Sequence, residues 1–365
     1  MAPRMPATAP SAMPTVPAPA ARPWRHFLAE KGLPVRLYDH NLTRIQQLQT
    51  LRTIRVTGKW TCQGTPEQIT ASLPQALEGA DIILVVTTTD AHGAIARQCA
   101  PYLRDGQIIL LNPGHVGGAL EVRHILQEEL ACPARVIIAE TGDLMYACRM
   151  VQEGEIFQSG IKQHVAVAAL PASHTPRLME VLGPIFPCLH PVDSILETGF
   201  EGGGAMLHPI PSLMNLNRTD RAQSYDYYID GITPSIARLV SACDCERLAV
   251  CRALGLEVPS LVASLQKTYG LEQTDLYDLL QHNAAYRGLK SPMNLEHRFI
   301  VEDLLCGIVP LASIGAELGV ETPIMNAFIE IGTVVCGRDF RTQGRTAEKL
   351  GLSGKTPEQI QALIR

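Results

Sequence analysis

The 365-residue sequence predicts an α/β first half built on a parallel sheet and an all-α second half. In the first half, short apolar runs alternate with segments of helical spacing, which is typical of a doubly wound parallel sheet. From about residue 196, strand-like runs become rare, and Gly or Pro separates one segment of helical spacing from the next. The length also suits two domains better than one.

The first half alternates strand and helix signals along its length. Two of the strand-like runs, 80–86 and 107–111, are apolar without alternation, which indicates burial on both faces. The predicted strands are 34–39, 54–58, 80–86, 107–111, 136–139 and 165–169. The predicted helices are 24–31, 42–51, 66–77, 92–103 and 119–130.

The second half consists of segments with helical spacing, each bounded by Gly or Pro. The predicted helices are 222–228, 234–254, 258–269, 274–284, 298–307, 311–318 and 322–335. The sequence therefore predicts a domain at 24–195 and a second, helical domain at 196–365.

Composition excludes several classes of function. The formal net charge is −5 and no basic run occurs, which argues against a nucleic-acid partner. No apolar run was found that reaches the length of a membrane span. The ten cysteines form no CxxC pair, which favours reduced thiols in a cytoplasmic protein over a metal site. A serine nucleophile is also disfavoured, because no GxSxG elbow occurs.

Asp39 stands at the end of an early strand, where parallel-sheet folds of this type bind the ribose hydroxyls of NAD. Such a fold should place a strand and a glycine-rich turn roughly 20 residues before this acid. Residues 1–23 are instead rich in Ala and Pro, and the first glycine of the chain is Gly32. We therefore expect residues 1–23 to be disordered, the first strand and phosphate loop to be missing or altered, and dinucleotide binding to be weak.

The Ala/Pro/Arg composition of residues 1–23 has a further interpretation. Glycine- and alanine-rich codons in GC-rich DNA encode these residues when they are read one base out of register. We therefore expect residues 1–23 to be a frame-shifted or misassigned start.

His208 is the first candidate for chemistry, because its imidazole suits proton transfer near neutral pH. Pro209 restricts the His208 backbone and should keep it out of the α region. Asp303 could orient this imidazole, and Arg298 could bind a substrate carboxylate. The alternatives are a core or capping histidine at a domain junction, a surface acid beside Glu302, and a helix surface charge paired with Glu296 or Glu302. Spacing alone does not bring these candidates together.

Weaker candidates follow the strands of the first half. Thr87 and Thr88 could cap the next helix or contact a cofactor, and the two interpretations have similar weight. His92 and His115 follow strands as well, but a helix start and a turn explain them better than catalysis does. Asp143 is a weaker candidate acid that a turn also explains.

Several short motifs, weak one by one, together resemble the octopine/nopaline (opine) dehydrogenase family from about residue 24 to the C-terminus. In the first half the motifs are 35–39 (VRLYD), 79–85 (GADIILV), 103–107 (LRDGQ), 111–114 (LNPG) with 117–119 (GGA), 139–141 (AET) and 146–149 (YACR). In the second half they are 208–209 (HP), 228–234, 246–248 (ERL), 298–303 (RFIVED) and 344–346 (GRT).

The resemblance implies a Rossmann domain followed by a helical domain, and reductive condensation of an amino acid with a 2-oxo acid by NADH or NADPH. It implies that His208 handles the proton, that Asp303 orients it, and that Arg298 binds a substrate carboxylate. Asp39, Thr87, Thr88, Asn112 and Gly114 are the expected cofactor contacts, with NAD slightly preferred. A homodimer is one assembly such a chain could form. The alternatives are a non-catalytic relative that has lost the phosphate loop and, less favoured, a dehydrogenase of simple hydroxy acids.

Overall fold

The computed structural model describes residues 13–17, 33–200 and 203–365. The chain divides into two compact units. Unit 1 comprises Met1–Gly114 and Gly118–Ile195, and unit 2 comprises His115–Gly117 and Leu196–Arg365. The helix predicted at 24–31 lies outside the described residues.

Unit 1 contains an eight-stranded sheet and a four-stranded sheet. The strands are β1 (Met13–Pro17), β2 (Val35–Tyr38), β3 (Ile54–Gly58), β4 (Cys62–Gly64), β5 (Gln68–Thr70), β6 (Ile82–Val86), β7 (Ile108–Leu111), β8 (Ile137–Thr141), β9 (Tyr146–Gln152), β10 (Glu155–Ile161), β11 (Val165–Leu170) and β12 (Leu189–Pro191). The large sheet has the order β12-β11-β8-β7-β6-β1-β2-β5, and the small one the order β4-β3-β10-β9.

The predicted α/β class is confirmed, but the large sheet is mixed rather than parallel throughout. β11 runs antiparallel to β8, with Val167 opposite Thr141, while the other neighbours in this sheet run parallel. β6 and β7 are buried along their whole length, as their apolar runs predicted. Parallel strands end at the same edge, so the residues that follow β6 and β7 lie side by side.

The predicted loss of the first strand is wrong. β1 lies inside the large sheet between β6 and β2, pairing in parallel with β2 from Met13 and with β6 up to Pro17. The expected disorder is therefore also wrong for Met13–Pro17. Two of these five residues are prolines, which cannot donate to a ladder and are rare within sheets, and this obscured the strand signal. The altered phosphate loop was predicted for residues outside the described part of the chain.

Further elements of unit 1 depart from prediction. The helix predicted at 66–77 is a strand, β5, followed by a short helix at Leu73–Leu77. The hairpin of β9 and β10 was not predicted, and it builds the small sheet with β3 and β4. The helices of unit 1 are α1 (Leu42–Leu51), α2 (Leu73–Leu77), α3 (His92–Cys99), α4 (Gly118–Arg123, extended by a π-helical segment, His124–Glu129) and α5 (Thr175–Leu182).

The described part of unit 2 is helical. Its helices, the first of which begins at the unit boundary, are α6 (Ile195–Phe200), α7 (Gly204–Leu207), α8 (Pro209–Met214), α9 (Leu216–Asp220), α10 (Pro234–Ala253), α11 (Leu261–Tyr269), α12 (Leu276–His282), α13 (Arg298–Asp303), α14 (Val309–Glu317), α15 (Pro323–Cys336), α16 (Phe340–Gln343) and α17 (Pro357–Ile364). The helix predicted at 222–228 is wrong: Ala222 has a positive φ of 50°, and Asp226 forms an isolated bridge with Lys290.

One helix forms the core of unit 2. α13, a π-helical segment (Leu304–Ile308) and α14 follow one another without a break as Arg298–Glu317, 20 residues long. This helix is long and apolar enough to cross a membrane by length and composition alone, which the sequence-based estimate missed. It is mostly buried within the protein, as core helices are. Asp303 lies in its first half, facing the protein interior.

Candidate active site

His208 lies between two short helices of unit 2, α7 and α8. Its φ of −103° and ψ of −60° place it in the α region, so the expected exclusion by Pro209 is wrong. Two side-chain hydroxyls hold the His208 carbonyl, which accepts from Ser212 Oγ at 2.7 Å and from Tyr227 Oη at 2.5 Å. Phe299 stacks on the imidazole with ring centroids 4.0 Å apart. The ring is therefore fixed from its backbone and from one face.

The structure brings His208 and Asp303 together. Nδ1 of His208 lies 2.9 Å from Oδ2 of Asp303, although the two residues are 95 positions apart. The other carboxylate oxygen, Oδ1, lies 3.0 Å from Nε2 of His115. Describing His115 as a turn residue is therefore incomplete, because its ring reaches the same carboxylate that His208 contacts.

Asp303 remains ionised despite its burial. Its side chain is 3% exposed, and burial alone would favour the neutral acid. The neighbouring imidazoles of His208 and His115 outweigh this effect and hold the pKa of Asp303 below its usual range. A buried carboxylate in this state stabilises an imidazolium and fixes the tautomer of the ring it contacts.

Tyr228 contacts Nε2, the other ring nitrogen of His208. Its hydroxyl lies 3.1 Å from Nε2, and its ring stacks on Tyr286 with centroids 4.0 Å apart. Burial, followed by the charge of Asp303, raises the pKa of Tyr228, so the hydroxyl keeps its proton. Sequence reasoning missed this residue, although Tyr228 is the first residue of the family motif 228–234.

Gly204 lies close to both His208 and Asp303. A Cβ added to this residue would lie 3.3 Å from Cε1 of His208 and 3.4 Å from Oδ1 of Asp303. These distances are at the short end of ordinary contact, so a larger side chain would press on the pair. Gly204 therefore has a packing role beside the histidine.

Arg298 does not contact the His208–Asp303 pair. Its guanidinium is about half exposed, and Nε lies 3.2 Å from Glu302 Oε2, as the surface-charge alternative expected. Its charge still acts on the site: it lowers the pKa of His297, after burial, and it counteracts the raised pKa of Tyr228. A substrate-binding role for Arg298 stays a prediction.

In unit 1, Thr87 and Asn112 follow the neighbouring strands β6 and β7. Among the described residues, neither the buried Oγ1 of Thr87 nor the buried Nδ2 of Asn112 has a hydrogen-bond partner. Oδ1 of Asn112 accepts from Thr141 Oγ1 at 2.8 Å, which fixes the amide with its Nδ2 unused. Buried polar atoms are normally paired, so these two fit a site that a polar ligand completes. Thr88 is exposed, and its hydroxyl caps no helix.

Asp39 directly follows β2 and is fully buried. Its carboxylate accepts from the backbone N–H of Asn41 at 2.9 Å and from Arg44 Nη1 at 3.0 Å. Arg44 also reaches Glu153 Oε1 at 3.3 Å. Arg44, a cation beside the expected ribose site, is thus already paired with two carboxylates.

The remaining candidates have structural explanations. A Cβ on Gly114 would lie 2.3 Å from Glu140 Oε2, so close packing explains this glycine. His92 is buried at the start of α3. Asp143 is 63% exposed and pairs with Lys162, as a turn residue would. His92 and Asp143 belong to unit 1, whereas His208 and Asp303 belong to unit 2.

Comparison with known proteins adds a family to this geometry. The family model described as NAD/NADP octopine/nopaline dehydrogenase, alpha-helical domain, matches residues 191–336. An opine dehydrogenase of Arthrobacter sp. (strain 1C) is 37% identical over 340 residues, 93% of this chain and 94% of that protein.

Solved structures agree in fold. Octopine dehydrogenase with NADH and L-arginine matches with a TM-score of 0.79 and 19% identity, covering 96% of this chain and 97% of that one. Yersinopine dehydrogenase with NADP⁺ matches with a TM-score of 0.73 and 16% identity, covering 97% of each chain.

A Rossmann-like sheet followed by a helical unit, in a chain 37% identical to an opine dehydrogenase, identifies an NAD(P)-dependent oxidoreductase. The similarity covers nearly the whole of this chain and of its Arthrobacter relative. The chain belongs to the opine dehydrogenase family, and the resemblance inferred from its motifs is confirmed.

Tyr228→Phe tests the bond to Nε2 of His208. The variant keeps the ring stack on Tyr286 and removes only the hydroxyl. We expect kcat to fall roughly 3- to 10-fold, since a lost hydrogen bond costs ~0.5–1.5 kcal/mol. Tyr225→Phe is the matched control, because the buried Tyr225 hydroxyl has no partner among the described residues. Equal kcat in the two variants would show that the Tyr228 hydroxyl does not support His208.

Proposed function

We propose that this enzyme condenses the amine of an amino acid with a 2-oxo acid and reduces the resulting imine with NADH, giving a secondary amine that carries two carboxylates. The observation that carries this proposal is the buried His208–Asp303 pair, in a chain 37% identical to an opine dehydrogenase. Structures of octopine dehydrogenase are described with NADH and L-arginine and with NADH and pyruvate, an amino acid and a 2-oxo acid.

His208 is suited to handle the proton of the reacting amine. Asp303 holds Nδ1 at 2.9 Å and stabilises the imidazolium that forms when Nε2 takes a proton. Nε2 now contacts the Tyr228 hydroxyl, so a substrate group either displaces this hydroxyl or exchanges its proton through it. Arg298 would bind a carboxylate of the substrates, for which its half-exposed guanidinium is available.

The cofactor, when bound, supplies the hydride. We propose that Thr87 and Asn112 bind it through the two buried atoms that have no partner among the described residues. Asp39 would accept the ribose hydroxyls, and Thr88 and Gly114 would line the same edge of the sheet. NAD(H) is then favoured over NADP(H), because the Asp39 carboxylate repels a 2′-phosphate.

Further parts of the proposal follow from the sequence. We propose a dinucleotide-binding domain at 24–195 and a helical substrate domain at 196–365, a cytoplasmic location, and a homodimer as the assembly to test. Small-molecule substrates are the expected partners, with neither nucleic acid nor membrane among them.

The test is product formation. The purified chain, NADH, pyruvate and a panel of amino acids should consume NADH only when both substrates are present, and mass spectrometry should detect the secondary amine. His208→Ala should lower kcat by about 10²–10⁴-fold and leave NADH affinity nearly unchanged. Reduction of the oxo acid alone would favour a hydroxy-acid dehydrogenase. Absence of saturable binding at millimolar NADH would favour a non-catalytic relative.

Thr87→Val tests the cofactor site. The replacement is close to isosteric and removes a buried hydroxyl without a described partner, so stability should not fall. We expect the Kd for NADH to rise roughly 3- to 10-fold, measured by cofactor fluorescence. Thr219→Val is the matched control, because Thr219 Oγ1 is also buried without a described partner but lies in α9 of unit 2. Parallel effects of the two substitutions would contradict the assignment.

Asp39→Asn tests cofactor choice. The wild-type chain should bind NADH more tightly than NADPH, and loss of the Asp39 charge should reduce or reverse this preference, because the carboxylate that repels a 2′-phosphate is then gone while Arg44 remains beside it. Glu153→Gln removes the other partner of Arg44 and should leave the preference nearly unchanged. Tighter binding of NADPH to the wild-type chain would show that Asp39 is not the discriminator.

A further inference from the structure

A second histidine, His115, contacts the carboxylate of Asp303. Its Nε2 lies 3.0 Å from Oδ1, and its side chain is 16% exposed. His115–Gly117 belongs to unit 2, although its neighbours in sequence belong to unit 1. The segment is held there by the buried Arg345, whose Nη1 donates to the carbonyl of Val116 at 3.0 Å. A Cβ on Gly199 would lie 2.9 Å from the carbonyl oxygen of His115, so the segment packs closely.

The hydrogen bonds determine which nitrogen of His115 carries the proton. The backbone N–H of Val116 lies 3.1 Å from Nδ1, and an N–H can only donate, so Nδ1 is an acceptor. In the neutral ring the proton is then on Nε2, which points to Oδ1 of Asp303. The same reasoning applies to the other carboxylate oxygen of Asp303 and the His208 ring. Oδ2 accepts from Nδ1 of His208, which leaves Nε2 of His208 as the nitrogen that accepts a proton.

The backbone at His115 is unusual for a residue with a side chain. Its φ is 58°, in the left-handed region that glycine adopts most readily. Histidine is among the residues that adopt this region more often than most. A glycine would fit the conformation with less strain but could not donate to Asp303. Gly307, in the π-helical segment that follows Asp303, leaves space for the ring, because a Cβ there would lie 3.1 Å from Cε1 of His115.

We propose that His115 is a positioning residue for the reaction: it holds the Asp303 carboxylate so that Oδ2 stays on Nδ1 of His208 and Nε2 of His208 remains the proton acceptor. This inference rests on the proposed role of His208. His115 itself contacts Asp303 and does not need to touch a substrate. Without it, Oδ1 would be a buried charged oxygen lacking this donor, and the carboxylate could rotate away from His208.

The first test reads proton positions directly and does not depend on activity. In the full chain labelled with ¹⁵N-histidine, two-bond ¹⁵N–¹H correlations distinguish protonation at Nδ1 from protonation at Nε2. We expect the Nε2–H form for His115 and the Nδ1–H form for His208 at neutral pH. Loss of each signal in the His115→Gly and His208→Ala variants assigns them. A His115 ring protonated at Nδ1 alone would overturn the proposal.

The second test is kinetic. His115→Gly removes the donor and relieves the backbone, so the variant should fold. We expect kcat to fall roughly 10- to 100-fold, the range for losing a hydrogen bond to a charged group, with KM for the oxo acid and Kd for NADH within about 2-fold. His115→Gln, which keeps an N–H donor on a side chain of similar length, should recover part of this loss. Ala222→Gly is the control for backbone relief, because the exposed Ala222 also has a positive φ of 50°.

A double-mutant cycle separates this inference from the proposed function. In an Asp303→Asn background, His115→Gly should have little further effect on kcat, since both changes act on His208 through the same carboxylate. Additive losses would overturn the proposal, and so would wild-type kcat in His115→Gly when His208→Ala is inactive. Near-normal turnover in His208→Ala would instead overturn the proposed function.

Discussion

The carboxylate of Asp303 is the group on which the site of unit 2 depends. A buried charge of this kind costs several kcal/mol unless it is paired and hydrogen-bonded. Here two imidazoles offset this desolvation cost, one at each carboxylate oxygen. The other features of the site place those imidazoles: Phe299 lies flat against His208, and Tyr227 and Ser212 hold its carbonyl. The buried carboxylate, held in this way, fixes the orientation of the His208 ring.

Much of the fold could be predicted because local residue patterns indicate its strands. The fully apolar runs at β6 and β7 identified buried strands correctly. β9 was missed because its exposed positions include the apolar Ala147 and Val151, so its sequence lacks the polar–apolar alternation of a half-buried strand. β1 was missed for a different reason. Pro14 and Pro17 lack the N–H that a strand normally uses, so the segment is recognised as a strand only from its pairing with β2 and β6.

The site was harder to predict than the fold, because its contacts are not local. Nothing in spacing joins residues separated by 95 and 188 positions, and His208 with Asp303 could be paired only through a family resemblance. His115 looked like a turn residue because its backbone is one, with a positive φ. Its side chain is defined by packing against Gly307 and by the bond to Asp303, neither of which leaves a local signal in the sequence.

The assignment of His115–Gly117 to unit 2 has a consequence for how such a protein can be recombined. The chain passes between units at 114/115, 117/118 and 195/196, so no single cut yields two complete units. A gene fragment that begins at residue 196 would encode the helices and Asp303, but not the second imidazole on its carboxylate. Exchanging the helical unit between relatives would therefore transplant an incomplete set of proton donors unless the three residues travelled with it. Structural modularity and genetic modularity do not coincide in this chain.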